Sequence, residues 1–387
     1  MMDGAKSLPD GWCWVRLGEL CDRIDYGFTA SADNSISEPQ FLRITDIQGG
    51  VVDWKAVPGC RITSDEETAN RLADGDIVFA RTGATTGKSL LIRKPPRAVF
   101  ASYLIRLRAK SIVLPEFMYA FFQSGDYWNQ IRSTARGGAQ PNVNATLLSS
   151  IVLPLPPLDE QNRITAIVNQ QMAAVERARA AAEAQLEAVR ALPPAYIRES
   201  LAKGPLQRMP LSRCLIEVCN GIGNEWTLYR LVGATRAGIA PAKEKVGKKP
   251  GRYKLVDQGT IFYNPMRILL GSIAFIDEWD SPGITSPDYV VFKTRTGLLH
   301  PRWFYYWLRS PKGEAFIKTL TRGAVRERML FRRLAQAETD LPAWEAQLEA
   351  AEKMQTNRFL AGQAAEQLDA INRLPAALLR RAFGGGL

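Results

Sequence analysis

Thr82 to Ser89 reads TGATTGKS, and a lysine after glycine behind an apolar run is the residue set that cradles a nucleotide's phosphates. The spacing excludes that chemistry. A phosphate-binding loop needs a glycine five positions before its Gly-Lys, so that backbone N–H groups wrap the anion; that position is Thr82, and Gly83 stands one residue too close. Tyr263 to Met266, YNPM, shares Asn-Pro with the Asn-Pro-Pro-aromatic motif of amino-methyltransferases but lacks its second proline and its aromatic residue. No Gly-rich methyl-donor loop accompanies it, so it reads as the end of a strand. His300 is the single histidine, which removes Ser-His-Asp and Cys-His catalysis and multi-histidine metal sites, since each needs an imidazole beside specific partners. The five cysteines, Cys13, Cys21, Cys60, Cys214 and Cys219, include no pair at the two-residue spacing of a zinc knuckle or redox motif, and fit a reducing cytoplasm. No paired acidic cluster with lysine marks a nuclease site either.

The chemistry that remains is charge. Fifty Lys and Arg against 39 Asp and Glu give +11, and a pI near 9.5 favours a polyanionic partner, nucleic acid or an acidic membrane surface. The excess is local: residues 1–157 carry +1, 158–204 and 341–387 are neutral, and 205–340 carry +10. In that basic part PAKEKVGKKPGRYK supplies Lys243, Lys245, Lys248, Lys249 and Arg252, with Arg230, Arg267, Arg322 and Arg326 nearby in sequence. Lysines among Gly and Pro suit a loop that neutralises phosphates without reading sequence, and equally a merely solvated loop. The nearly neutral first part would need a locally basic face, with candidates Arg43, Arg81, Thr82, Lys88, Arg93, Lys94, Arg97, Arg136 and Gln140. Arg pairs bidentately with guanine and Gln with adenine when they face a groove; taken singly, each is more often a surface charge. The segment MMDGAKSLPDGW has no apolar stretch and no run reaches the roughly 18 apolar residues of a membrane span, so the expectation is a soluble, cytoplasmic chain.

The elements that must position these residues occur twice. DGDIVFARTGATTGKSLLI from Asp74 matches QGTIFYNPMRILLGSIAFI from Gln258 at an offset of 184 residues, pairing Gly75 with Gly259 and Gly87 with Gly271. At an offset of 186, Tyr103 pairs with Tyr289, LPEFMYAFFQS with LHPRWFYYWLRS, and RGGAQ at Arg136 with RGAVR at Arg322. QLEAVRALPPAYIRESLAKG from Gln185 resembles QLDAINRLPAALLRRAFGGG from Gln367 at an offset of 182. Each copy thus orders a mixed α/β globule before a long helix. IVFA and TIFYN read as short strands, and Pro115 and Pro301 open aromatic-rich buried helices. Val168, Val175, Ala182 and Val189 recur every seven residues, with Met172 and Leu186 on companion positions and Arg179 breaking the seam. Met354, Ala361 and Leu368 repeat the spacing, flanked by Ala364 and Ile371. So narrow a seam needs a partner helix. The expected fold is two tandem α/β (α+β) globules joined by two long antiparallel helices as a coiled-coil spacer with pseudo-twofold symmetry: globule 1–157, helix 158–204, globule 205–341 and helix 342–387. From Leu158 to Leu192, a helix reaching Pro193 would span roughly 50 Å.

LPDGWCWVRLGELC, LRITDIQGG, DGDIVFARTGATTGK and GGAQPNVNATLLSSIVLPLPPLDEQNRI together resemble the specificity subunit of a type I restriction-modification system, over nearly the whole chain. The most specific stretch is glycine then Gln-Pro-Asn, followed by Leu-Pro-Pro-Leu-x-Glu-Gln. The second copy departs from it, with ERMLFRR for QPNVNAT and LPAWEAQ, from Leu341, for LPLPPLDEQ. The resemblance implies two target-recognition domains, each reading one half of an asymmetric split double-stranded DNA sequence, with the helix pair setting the gap. It implies a non-catalytic chain that binds no cofactor itself, assembled with two modification subunits holding S-adenosylmethionine and with restriction subunits holding ATP and Mg. Heads that read different halves should differ most in their loops, Ser31 to Gln40 against the lysine-rich loop. The competing expectations are a DNA methyltransferase or nuclease carrying its own recognition domains, which would turn over S-adenosylmethionine alone, and a scaffold or RNA-binding adaptor, which would not prefer split DNA sites.

Overall fold

Short apolar runs bounded by Gly, Asp and Pro pair with one another, and in both halves of the chain one four-stranded sheet is built in the same order. The computed structural model describes residues 8–83, 85–133, 143–321 and 328–387; Arg136, Gln140, Arg322 and Arg326 lie outside them. Two compact units result, residues 1–180 with 369–387, and residues 181–368. The helices are α1 (Ser64–Asn70), α2 (Pro115–Phe122), α3 (Gly125–Ser133), α4 (Ala145–Ser150), α5 (Leu158–Arg190), α6 (Pro193–Ala202), α7 (Pro301–Leu308), α8 (Pro311–Thr321), α9 (Phe331–Gln336) and α10 (Trp344–Phe383). Among the described residues no helix is long and apolar enough to cross a membrane.

In the first unit an antiparallel sheet runs Cys21–Tyr26, Leu104–Ala109, Ile77–Ala80, Ser89–Leu91 in spatial order. A second sheet runs Ala98–Phe100, Gln40–Leu42, Gly59–Cys60, Ala32–Asp33, its first pair parallel. Cys13–Arg16 and Val152–Leu155 pair antiparallel beside them. The second unit repeats the first of these sheets as Leu215–Glu217, Val290–Thr294, Ile261–Tyr263, Ile273–Phe275, whereas its other sheet runs Gly238–Pro241, Arg230–Thr235, Gly283–Thr285, Lys254–Val256, with the parallel pair in the middle rather than at the edge. Gln207–Pro210 and Glu338–Leu341 close it. The TGATTGK segment therefore joins two antiparallel strands, and no helix follows it as a phosphate loop requires. Gly87 and Gly271 both have φ of 81°, a left-handed turn that favours glycine, which explains the repeated glycine without a ligand.

Helices α2 and α7 begin with Pro at their first position, where the missing N–H is no loss, and bury their aromatic faces. Phe117, Phe121, Phe122 and Tyr127 form the centre of the first core; Trp303, Phe304 and Trp307 form that of the second. Each core is completed by the other copy's helix tail. Leu379, Ala382 and Phe383 of α10 pack in the first core with Ile164 and Val168 of α5, and Phe383 lies 5.3 Å from both Phe117 and Phe121. In the second unit α6 takes the equivalent place: Ile197, which corresponds to Leu379 at the offset of 182, joins the core with Ala350 and Met354 of α10. The Trp303 indole N–H donates to Ser200 Oγ at 2.8 Å. In the first unit the start of α5 and the end of α10 thus share one core, and in the second α6 and the start of α10 share the other.

The expected seam is visible in burial. Val168, Ala182 and Leu186 are buried, Met172, Val175 and Val189 half-buried, and Arg179 exposed; Met354 and Ala364 are buried, with Ala361, Leu368 and Ile371 half-buried. Helix α5 ends at Arg190, just short of the expected Leu192. Pro193 has no N–H to offer the Val189 carbonyl four residues back, and that carbonyl instead accepts from the Leu192 N–H at 3.3 Å and from Asn357 Nδ2 at 2.7 Å. Helix α10 continues through its single Pro375.

Candidate nucleic-acid interface

In the first unit two sequence segments far apart in the chain meet at Arg81. The Val143 N–H donates to the Arg81 carbonyl at 3.1 Å, and the Arg81 N–H to the Tyr103 carbonyl at 3.2 Å. The Arg81 guanidinium lies over the Tyr26 ring, 4.5 Å from its centroid, and donates through Nη1 to the Ser102 carbonyl at 3.3 Å. The Tyr26 hydroxyl accepts from the Ala145 N–H at 3.0 Å. A guanidinium held flat on an aromatic ring keeps its charge while its fork is fixed in one plane, an arrangement suited to a phosphate or a base edge. Thr82 and Lys88 are exposed on the adjoining hairpin tip. The partner residues Tyr26 and Tyr103 were not candidates from the sequence, because nothing in spacing brings positions so far apart together. Burial raises the Tyr103 hydroxyl above its ordinary pKa, with Arg43 opposing.

The other cations of this unit divide sharply. Arg43 is bound by both carboxylate oxygens of Asp46, at 3.0 and 2.7 Å. Arg97 makes the same fork to Glu67 at 2.7 Å twice, a hydrogen bond that holds the Glu67 carboxyl below the usual range. Arg93 pairs with Glu116. Three of the expected cations are thus locally neutralised, by acids three to thirty positions away. Lys94 is exposed, at φ 41°, with its N–H bound by Asp74 at 2.7 Å.

In the second unit Arg230, Lys243, Lys245, Lys248, Lys249, Arg252 and Arg267 are all exposed, and among the described residues none forms an ion pair. The loop is tethered at Gly247, whose N–H donates to the Tyr253 hydroxyl at 2.9 Å. This unit holds its buried charge elsewhere. Arg302 on α7 donates to Asp277 through Nε at 3.0 Å and through Nη2, and Arg358 on α10 reaches Asp277 at 3.2 Å and Asp280 at 2.7 and 2.9 Å. Burial would raise the Asp277 carboxyl, but Arg302, the Glu278 N–H and Arg358 hold it below its ordinary value. The same contact in the first unit is Arg93 with Glu116, the charges exchanged between the two positions. Both copies keep the pair; its polarity is free.

The frame also repeats in an amide that the sequence motif contained. Gln161 accepts from the Leu114 N–H at 2.8 Å and donates to the Ile112 and Pro156 carbonyls at 3.2 and 2.9 Å. Gln347 accepts from the His300 N–H at 2.9 Å and donates to the Leu298 and Pro342 carbonyls at 3.2 and 2.9 Å. The Leu-Pro-Pro-Leu-x-Glu-Gln motif thus ends in a structural glutamine, and LPAWEAQ preserves its function. The copies differ next to the hairpin tip. Trp128 packs against Gly87 in the first unit, whereas Glu314 at the corresponding register lines a cavity of about 450 Å3 with Leu269, Leu270, Arg236 and Lys318. Among the described residues no three His, Cys, Asp or Glu side chains converge to hold a metal.

Residues 9–187 match the type I restriction modification DNA specificity domain. Over 255 residues the chain is 24% identical to the type I restriction enzyme StySPI specificity subunit of Salmonella potsdam, spanning 58% of this chain and 54% of that protein. It therefore spans about half the length of that curated relative. The fold is shared with the HsdS subunit from Thermoanaerobacter tengcongensis, at a TM-score of 0.58 and 18% identity over 100% of both chains. It is shared also with a chain solved in a study of complex assembly and conformational transition of the type I R-M system, at a TM-score of 0.67 and 20% identity over 98% of this chain and 100% of that one. With that domain matched across residues 9–187 and the order of one four-stranded sheet repeated in the second unit, the chain is similar to the specificity subunits of type I restriction-modification systems.

Proposed function

We propose that this chain is the DNA-reading subunit of a type I restriction-modification complex in the cytoplasm. Its two target-recognition domains, 1–157 and 205–341, each read one half of a split, asymmetric double-stranded DNA site. The helical segments 158–204 and 342–387 set the gap and dock two modification subunits, to which two restriction subunits add where the system has them. S-adenosylmethionine, ATP and Mg belong to those partners, and bond-making with them. The observation that carries this reading is one frame built twice, with the same strand order in its antiparallel four-stranded sheet, bearing different side chains on the same tips. A duplicated reader with divergent loops gives two different half-sites from one chain.

The reading predicts that the full chain, co-purified with its modification subunit, enriches from a random duplex pool a motif of two unlike halves separated by a fixed unread gap. The chain alone should leave S-adenosylmethionine unconsumed. Enrichment of one continuous motif, or methylation by the chain without partners, would contradict it.

A further inference from the structure

The tip joining Ile261–Tyr263 to Ile273–Phe275 exposes apolar side chains where the first unit carries threonines, one exposed, one half-buried and one buried. Met266 is 53% exposed and Leu270 72%, with Leu269 beside them at 39%; the corresponding residues of the first copy are Thr82, Thr86 and Thr85. Ile268 is buried and Gly271 closes the turn in the left-handed region, so the exposed side chains stand on an anchored turn. Leu330, 52% exposed, lies alongside, because the Met329 N–H donates to the Pro265 carbonyl at 3.1 Å. An exposed apolar cluster of this kind marks a contact surface. Its rim is cationic: Arg236, Arg267, Arg309 and Lys318 flank it without an ion pair among the described residues, against one acid, Glu314.

A surface that is apolar at its centre and positive around it fits a ligand with the inverse plan. Duplex DNA has that plan in its major groove, where phosphates border the base edges and the single apolar group presented is the 5-methyl of thymine. We propose that Met266, Leu269 and Leu270 read thymine through its methyl group in the half-site facing the second unit. This rests on the DNA-reading function above. Because the same tip in the first unit is polar, thymine methyls contribute there far less, and the two half-sites differ in kind as well as in sequence.

The test uses the full chain co-purified with its modification subunit and the duplex it enriches. Each thymine is replaced in turn by deoxyuridine, which removes the methyl and nothing else. At least one replacement in the half-site read by the second unit should weaken binding about fourfold, the ratio that one buried methyl-sized group gives. With L269T/L270T, which installs the first copy's residues, that penalty should vanish and the enriched motif should lose its thymine at the same position, while the other half-site stays unchanged. L270T alone, at the most exposed position, should give a smaller change in the same direction and serves as the variant least able to disturb folding. Deoxyuridine tolerated at every position, or the same motif enriched by L269T/L270T, would overturn the proposal. So would a variant that keeps its DNA motif but no longer retains the modification subunit, which would make the tip a protein-docking face. A wild-type complex enriching no motif at all would remove the DNA-reading function itself, and the thymine proposal with it.

Discussion

Gln161 and Gln347 each tie the first turns of a long helix to the loop that enters the preceding aromatic helix, through one accepted and two donated hydrogen bonds. Gln161→Leu leaves the Leu114 N–H and the Pro156 carbonyl without partners, and each stranded group costs about 1–3 kcal/mol. Calorimetry should show the melting temperature falling by several degrees; a variant melting with the wild type would show that water replaces the amide. His300 offers a second handle. Burial first, then Arg302, pushes its imidazole down to about 4, so the folded chain holds it neutral where the unfolded chain protonates it near 6.5. Between those values the unfolded state binds more protons, and stability falls as pH drops through that window, by up to about 3 kcal/mol. It is the chain's one histidine. Denaturant midpoints should therefore decline from pH 6.5 to 4.5 in the wild type and stay level in His300→Gln; parallel declines would assign the loss to other groups.

The junction between α5 and α6 shows how one missing donor organises two helices. Pro193 leaves the Val189 carbonyl only a long bond from the Leu192 N–H at 3.3 Å, and Asn357 on α10 supplies a shorter one at 2.7 Å. Asn357→Ala should cost about 1–3 kcal/mol. In a Pro193→Ala background, where an N–H returns to the helix, the same change should cost about 1 kcal/mol less, a coupling measurable in a double-mutant cycle. Strict additivity would mean the carbonyl is satisfied some other way. At this scale much was legible: the offsets of 184 and 186 relate the hairpin Ile77–Leu91 to Ile261–Phe275 and α2 to α7, because equal spacing of apolar runs and glycines forces equal hairpins. The exchange of tails was not legible. Ile197 and Leu379 look alike in sequence, and nothing in their spacing says that each completes the core of the other copy's globule. Nor was the neutralisation of Arg43, Arg93 and Arg97, since a guanidinium's partner depends on which strand edge faces it; the stacking of Arg81, itself a candidate, on Tyr26 was hidden for the same reason.

On the whole chain the charge is as uneven as the fold is regular, +1 in residues 1–157 and +10 in 205–340. The first unit offers a fixed Arg81 on Tyr26 and ties Arg43, Arg93 and Arg97 to acids, whereas the second presents a loop of unpaired lysines and an apolar tip. On the proposed function, two domains of one frame would hold DNA by different balances of specific contact and phosphate attraction. By the same proposed function, the helices fix the distance between what the two domains read. Deleting one heptad from each, Ala173 to Arg179 and Ala361 to Gln367, keeps Val168 in step with Ala182 and Met354 in step with Leu368, and shortens each helix by about 10 Å. Sequencing the duplexes that the deleted chain enriches with its modification subunit should return both half-sites unaltered and the gap between them shorter by about three base pairs. The same half-sites at the original gap would contradict it.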